Sequence, residues 1–216
     1  MPHFRSPLSL SGRWIRLDPL RLEDAPALRT AAWDPEAYRF LLRGPGTTVE
    51  DLRSFIESIL RAQALGTDLA FTAVLASNGK TVGMTRYLNI DRENYSVEIG
   101  GTWFDRGLWR TPINTESKYL LLRHAFETEN CHRVSLQTDL RNERAQRAIA
   151  RLGAVREAVF REDKLLLDGS FRTSVIYGIL ASEWPRVKAE LERKLSRDWN
   201  PGASAAGGPP GGPVDR

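Results

Sequence analysis

The chain has 216 residues, 41% of them hydrophobic and six of them tryptophan, which is ample for a buried core and excludes a disordered chain. A formal charge of +4 is modest, and a single cysteine, Cys131, excludes a disulfide framework and a multi-cysteine metal site and fits a reducing, cytoplasmic setting. The N-terminal Met-Pro-His-Phe-Arg carries no signal-peptide run, and no stretch approaches the ~20 consecutive apolar residues of a membrane span.

Arg13 to Leu17 alternates weakly and reads as a first strand. Asp24 is an N-cap with Pro26 in the first turn, and Leu28 and Ala32 share the face that follows. Trp33-Asp34-Pro35 stops this helix, a short helical piece covers Tyr38 to Leu42, and Gly44-Pro45-Gly46 breaks the chain. Thr47 with Glu50 three residues on has the form of a capping box. Leu52, Phe55, Ile56, Ile59 and Leu60 then form one apolar stripe, the mark of an amphipathic helix that runs to Gly66.

Three strand-like runs come next. Leu69 to Leu75 and Thr81 to Ile90 flank the hairpin signal Asn78-Gly79, and Tyr95 to Phe104 follows a polar turn to complete an antiparallel meander. On the third run Glu98 shares a face with Ser96, Gly100 and Thr102, while Val97 and Ile99 face the other way. A loop, a helix beginning near Asn114 and an alternating run with Val134, Leu136, Thr138 and Leu140 on one face make a strand, loop, helix, strand crossover. The loop ends at a helix N-terminus, where unpaired N–H groups and the dipole favour an anion; a pyrophosphate is the anion expected.

Asn142 caps a further helix, Glu143 to Leu152, with Gly153 just past its end. Ala145, Ala148, Ile149 and Leu152 form its apolar face, and Arg144, Arg147 and Arg151 cluster on the opposite face. Val155 to Asp163 and Ser170 to Leu180 form a last hairpin around Asp168-Gly169, and Ser182 with Pro185 starts a terminal helix. The Gly-, Pro- and Ala-rich residues after Trp199 have nothing to bury and read as a flexible tail. The order β, α, α, β, β, β, α, β, α, β, β, α predicts an α/β sandwich around one mixed, mostly antiparallel sheet, with residues 1–199 as one domain and 200–216 as the tail.

Four passages in this order resemble the GNAT superfamily of N-acetyltransferases, and within it the RimJ/RimL-type branch, named for enzymes that acetylate ribosomal-protein N-termini. They are Val82 to Tyr87, Trp109 to Lys118, Asn142 to Gly153, and Asp168-Gly169 leading to Ser182-Glu183-Trp184-Pro185; the likeness covers Leu8 to Lys194. It implies a GNAT fold, its sheet flanked by helices on both faces and splayed around an acyl-CoA site, with acetyl-CoA as co-substrate and no metal. The family's pyrophosphate loop has the form Gln/Arg-x-x-Gly-x-Gly/Ala, and Trp109, Pro112 and Asn114 stand at its three defining positions here. The resemblance therefore implies that the amides of Thr111, Ile113, Asn114 and Thr115 hold coenzyme A, with Arg110 and Lys118 supplying charge in place of the bond that Pro112 cannot make.

Asn142 matches the family's asparagine on the pantetheine arm, and Arg147, with Arg144 and Arg151, suits the 3′-phosphate of the adenosine. Glu98 is the expected base, and backbone N–H groups near Trp103 and Phe104 are the expected donors to the thioester carbonyl. Many relatives carry a tyrosine general acid seven residues after the asparagine; Ile149 stands there in this chain, so that role is vacant. A covalent route through Cys131 is rejected because the thiol belongs at a helix C-terminus, and His124 and His132 read as structural. Trp33, Tyr38 and Phe40 are candidates for the acceptor wall.

The activity implied is direct, sequential acetyl transfer to a primary amine, either a protein N-terminus or a small amine. A non-catalytic acyl-CoA-binding or sensing module is the competing reading, favoured by Pro112 and Ile149. RNA binding through the arginine face ranks last, because no aromatic platforms interleave with the basic residues. No membrane partner is expected, and a homo-oligomer is left open.

Overall fold

Period-two runs of apolar residues build the centre of the molecule. The strands are β1 (Leu10–Ser11), β2 (Ile15–Pro19), β3 (Leu69–Leu75), β4 (Thr81–Asp91), β5 (Ser96–Phe104), β6 (Arg133–Asp139), β7 (Val155–Leu165) and β8 (Phe171–Leu180). They form one sheet in the order β1-β2-β3-β4-β5-β6-β8-β7. Every neighbouring pair is antiparallel except β5 and β6. The computed structural model describes residues 1–31, 34, 36, 39–42, 46–166, 168–196 and 199. Ala32, Trp33, Tyr38, the break at Gly44-Pro45 and the tail 200–216 lie outside the described residues. The first strand begins at Ile15, not Arg13, and two-residue β1, too short to show a period, pairs with it.

Helices cover both faces. On one side α1 (Ala25–Ala31) and α2 (Val49–Ala64) bury Leu28, Leu52 and Ile56 against Ala70, Met84 and Trp103 of the sheet. On the other, α3 (Pro112–Arg123), α4 (Glu143–Arg151) and α5 (Trp184–Leu195) bury Ile113, Leu121, Ile149 and Leu191 against Ile15, Phe71, Val97, Ile99 and Phe104. Each such side chain withdrawn from water contributes roughly 1.5–3 kcal/mol.

Four helix starts differ from the sequence reading: Asp24 ends a 3-10 turn, Leu22–Asp24, and accepts the Arg21 N–H at 2.9 Å, and α5 begins at Trp184 after Glu183 in place of Ser182. The capping box of α2 is Thr48 with Asp51, not Thr47 with Glu50: the Asp51 N–H donates to Thr48 Oγ1 at 3.0 Å, and the Thr48 N–H donates to Asp51 Oδ2 at 2.9 Å. Thr48 is the residue with extended backbone directly before the first helical turn, so its hydroxyl reaches the orphan amide. Helix α3 starts at Pro112, two residues before Asn114. Proline's fixed φ suits the first helical position, and the N–H it lacks would have no partner inside the helix.

Buried Glu116 anchors α3 by accepting the backbone N–H groups of Arg13, Trp14 and Ile15 at 2.7, 2.8 and 2.9 Å. A Cβ on Gly12 would lie 2.5 Å from that carboxylate, so any larger residue there would push Glu116 off its three amide donors.

Two bulges bracket the middle of the β4–β5 ladder. One lies in β4 between Leu88 and Asp91, where Asn89 takes φ +50°, a conformation asparagine tolerates. The other lies in β5 at Gly101, φ +57°, where a Cβ would meet Arg86 Nε at 2.7 Å. The extra residue reverses the alternation. Glu98 and Gly100 face one side, but Thr102 turns toward α3 and Trp103 turns into the α1–α2 core. Thr102 therefore does not share a face with Glu98, as uninterrupted alternation predicts, because a bulge shifts every later residue by one.

Candidate functional site

Parallel pairing of β5 with β6 ends early. Ser96, Val97 and Glu98 pair with Arg133, Val134 and Ser135, and the two strands pair no further. The gap is a cleft through the sheet. A cavity of about 1080 Å³ fills it, with the N-terminus of α3 and the arginines of α4 at one end and Glu98, Arg86 and Arg172 at the other. Phe40 and Leu41, with Phe55 of α2, line the far wall. Of the aromatic residues expected on the acceptor wall, Phe40 is there, and Trp33 and Tyr38 lie outside the described residues.

The α3 end is an anion site in its geometry. Thr111 is the N-cap by position, yet its hydroxyl donates to the Leu108 carbonyl at 2.6 Å and its N–H goes to the same carbonyl at 3.3 Å. No side chain caps α3, so the amides of Ile113, Asn114 and Thr115 are left for a ligand, and the Thr111 amide is already engaged. The Ile113 side chain is wholly buried and can contribute only its backbone. Arg110, exposed beside this turn, holds φ +66°, between extended Trp109 and Thr111.

Trp109 and α4 form the cationic wall. The Arg144 guanidinium lies 3.3 Å from the centroid of the Trp109 ring, with Arg106 at 5.5 Å. Burial against the ring pulls the Arg144 pKa down, opposed by Glu36. Arg147 is exposed and pairs with Glu143 at 3.0 Å, an arrangement worth little in water. Asn142 Oδ1 accepts the Ala145 N–H at 3.1 Å and caps α4, which leaves its amide nitrogen facing the cavity. The arginines do not sit opposite the lining residues: Arg144, Arg147 and Arg151 line the cavity together with Ala145, Ala148 and Ile149.

Glu98 is buried, 7% exposed, and is not the half-exposed surface carboxylate that a strand pattern also allows. Asn89 Nδ2 donates to it at 2.9 Å, and Gln137 Nε2 donates at 2.7 and 2.8 Å. The first bulge is what aims Asn89 there. Two more basic groups flank the carboxylate. Arg86 pairs with Asp68 at 3.0 Å, yet burial pushes the Asp68 carboxyl up and pulls the Arg86 guanidinium down, so desolvation exceeds their attraction. Arg172 is buried, with its Nε unpartnered among the described residues and one long bond, 3.5 Å, to Gln137 Oε1.

Trp103 and Phe104 follow the second bulge. The Asp105 N–H donates to Val82 of β4, so by strand alternation the Phe104 N–H points into the cleft, where the Phe104 carbonyl meets Trp109 Nε1 at 3.4 Å. The Trp103 indole N–H is buried without an acceptor among the described residues.

Lys118 is not at the rim. It lies nearly two turns inside α3, 6% exposed, and Nζ donates to Thr102 Oγ1 at 2.5 Å and Thr85 Oγ1 at 3.4 Å. Burial alone pulls its amine down to about 7. Asn89, Gln137, Arg172 and the threonine pair were not legible as site residues, because nothing in a strand's alternation marks which polar residues meet across a cleft.

Cys131 is buried in the core, where burial and then Glu129 push its thiol up to about 12. His124 is buried between Tyr87 and Glu129, and desolvation pulls its pKa down against the pull of Glu129. Among the described residues no three His, Cys, Asp or Glu side chains gather as for a metal ion, and no helix is long and apolar enough to cross a membrane.

The family model described as an acetyltransferase (GNAT) domain matches residues 15–155. A structure from T. thermophilus described as a candidate acetyltransferase is 41% identical, with a TM-score of 0.81 over 88% of this chain and 98% of its own. RimJ of Mycobacterium smegmatis, solved with CoA-disulfide, is 20% identical, with a TM-score of 0.77 over 90% of this chain and 98% of its own. YdaF of Bacillus subtilis strain 168, described as a candidate ribosomal N-acetyltransferase, is 30% identical over 116 residues, 54% of this chain and 62% of YdaF.

Proposed function

The chain belongs to the GNAT acetyltransferase family, and we propose that it moves an acetyl group from acetyl-CoA directly to a primary amine, a protein N-terminus before a small amine. One observation carries this reading: the β5–β6 cleft joins an uncapped helix N-terminus on one face of the sheet to a buried carboxylate on the other. Two substrates, one anionic and one cationic, can thus meet without leaving the protein.

Coenzyme A fits the residues present. The amides of Ile113, Asn114 and Thr115 would receive the pyrophosphate, Arg110 and Arg144 its charge, and Asn142 the pantetheine amides. Arg147 and Arg151 would reach the 3′-phosphate from the rim. The cleft-facing N–H of Phe104 adds a backbone donor to that wall, which suits a carbonyl oxygen. The CoA-disulfide bound by the M. smegmatis relative supports the same ligand. When bound, acetyl-CoA supplies the activated acyl carbon.

The chain's own part is to bind, orient and deprotonate. Glu98 receives the acceptor ammonium and takes its proton. An α-amine with pKa near 8 loses that proton at about 1.4 kcal/mol at pH 7, a free lysine at about 4.6 kcal/mol, so an N-terminus is the easier acceptor. The description of YdaF supports a protein acceptor. Thiol release from acetyl-CoA in the presence of a panel of peptides and small amines tests the reading. Turnover with an α-amine is expected; tight CoA binding with no thiol release from any acceptor would instead favour the binding module.

A further inference from the structure

Burying a primary amine without a carboxylate beside it is costly, and chains rarely do so without use. Lys118 is such an amine. Its Nζ has two hydroxyl partners, Thr102 and Thr85, and no ion pair among the described residues. Those hydroxyls also bond each other at 2.7 Å. The Gly101 bulge produces this contact, since it is what turns Thr102 toward α3. Thr102 lies two residues before Phe104, whose N–H points into the cleft while that of Trp103 belongs to the β4 ladder, and Lys118 itself lines the same cavity.

We infer that Lys118 is the proton donor to the departing CoA sulfur, held in place by Thr102 and Thr85. The inference rests on the reading of the cleft as an acetyl-transfer site. As an ammonium Nζ has three N–H groups, of which the threonine oxygens take two, which leaves one for a ligand in the cavity that Lys118 lines. When the acceptor nitrogen bonds to the acyl carbon, the carbon–sulfur bond breaks and its electron pair stays on sulfur. The Nζ proton then converts thiolate to thiol, and the neutral amine recovers a proton from solvent, balancing the one the acceptor ammonium released. A buried amine suits this role because its proton is held less tightly than that of a thiol near 8.5. The carboxylates on the surrounding walls are Glu36, Asp68 and Glu98, and the cations Arg86, Arg106, Arg110, Arg144, Arg147, Arg151, Lys164 and Arg172; among the described residues none of the carboxylates pairs with Lys118, and burial is the whole cause of its shift. The role fills the place that Ile149, buried and apolar, leaves open.

Two measurements test this. In the free protein, carbon-13 NMR of lysine Cε should show one lysine titrating near pH 7 that is absent from Lys118→Met; titration of Lys118 near 10 would overturn the proposal. In turnover, the wild-type kcat should fall with a limb near the same pH, and Lys118→Met should lower kcat about a hundredfold at neutral pH, remove the limb and leave the CoA Kd within about threefold. Lys118→Arg, which keeps a charge that cannot be given up, should be as slow as the methionine variant. Wild-type kcat and pH profile in either variant would overturn the role while leaving acetyl transfer intact, as would an acetyl group found on Lys118 by mass spectrometry. Absence of turnover in the wild type with every acceptor would overturn the acetyl-transfer reading itself and this role with it.

Discussion

Gln137 donates one amide nitrogen to both carboxylate oxygens of Glu98, at 2.7 and 2.8 Å. Its own oxygen accepts from Arg172, so the amide cannot turn over without placing like groups together on both sides. With Asn89 as a third donor, Glu98 is held in one rotamer, its carboxylate at the cavity wall. Glu98→Gln is therefore expected to lower kcat about a hundredfold or more while changing the acetyl-CoA Kd less than twofold. Gln137→Ala, which keeps the carboxylate and removes two donors, should cost less. Steady-state kinetics with the accepted amine beside calorimetric CoA titration checks both; an unimpaired Glu98→Gln enzyme would remove the base role.

Arg144 and Arg147 are three residues apart and differ in environment. Arg144 is stacked on Trp109, and Arg147 is paired with Glu143 in solvent. Arg144→Ala is expected to weaken CoA binding about tenfold, since stacking on Trp109 fixes its charge at the site. Arg147→Ala should change it threefold or less. Equal losses in the two dissociation constants would contradict the distinction.

Gly101 combines φ +57° with a close approach, since a Cβ there would lie 2.7 Å from Arg86 Nε. Gly101→Ala should destabilise the fold by roughly 1–3 kcal/mol, read as a lower midpoint in urea. It should also move Thr102 away from Lys118 and so lower kcat. A variant as stable and active as wild type would show that the bulge is not needed.

The Cys131 thiol, buried and pushed up to about 12, is protonated at any pH used for assay. Because its pKa in the fold lies above the ordinary thiol value, ionisation favours the unfolded chain between about 8.5 and 12, and stability should fall as pH rises through that window. Ellman's reagent at pH 8 is expected to find no fast-reacting thiol in the native protein and one after denaturation. A prompt signal from folded protein would place Cys131 at the surface.

Elements with a sustained period were legible in the sequence. Helix α2 shows its stripe of Leu52, Ile56 and Ile59, β3 matches its run from Leu69 to Leu75 residue for residue, and Asn142 caps α4 as its side chain suggests. These follow from local rules: apolar spacing, turn chemistry and capping act within a few residues of chain. The family likeness placed Glu98, the α3 N-terminus and Asn142 around one site, and the fold brings them to one cavity.

Tertiary structure alone decided what each of those residues meets. Glu98 is buried by Gln137, which is 39 residues away, and Lys118 meets Thr85 across 33. The bulge at Gly101 reverses a strand face, so residues that alternate in sequence part company in space, with Glu98 toward Asn89 and Gln137 and Thr102 toward α3. A period of two carries no mark of where an extra residue enters the ladder; that depends on the partner strand. The cleft itself has the same origin: β5 and β6 each read as ordinary strands, and only their pairing, which stops at Glu98 and Ser135, opens the sheet.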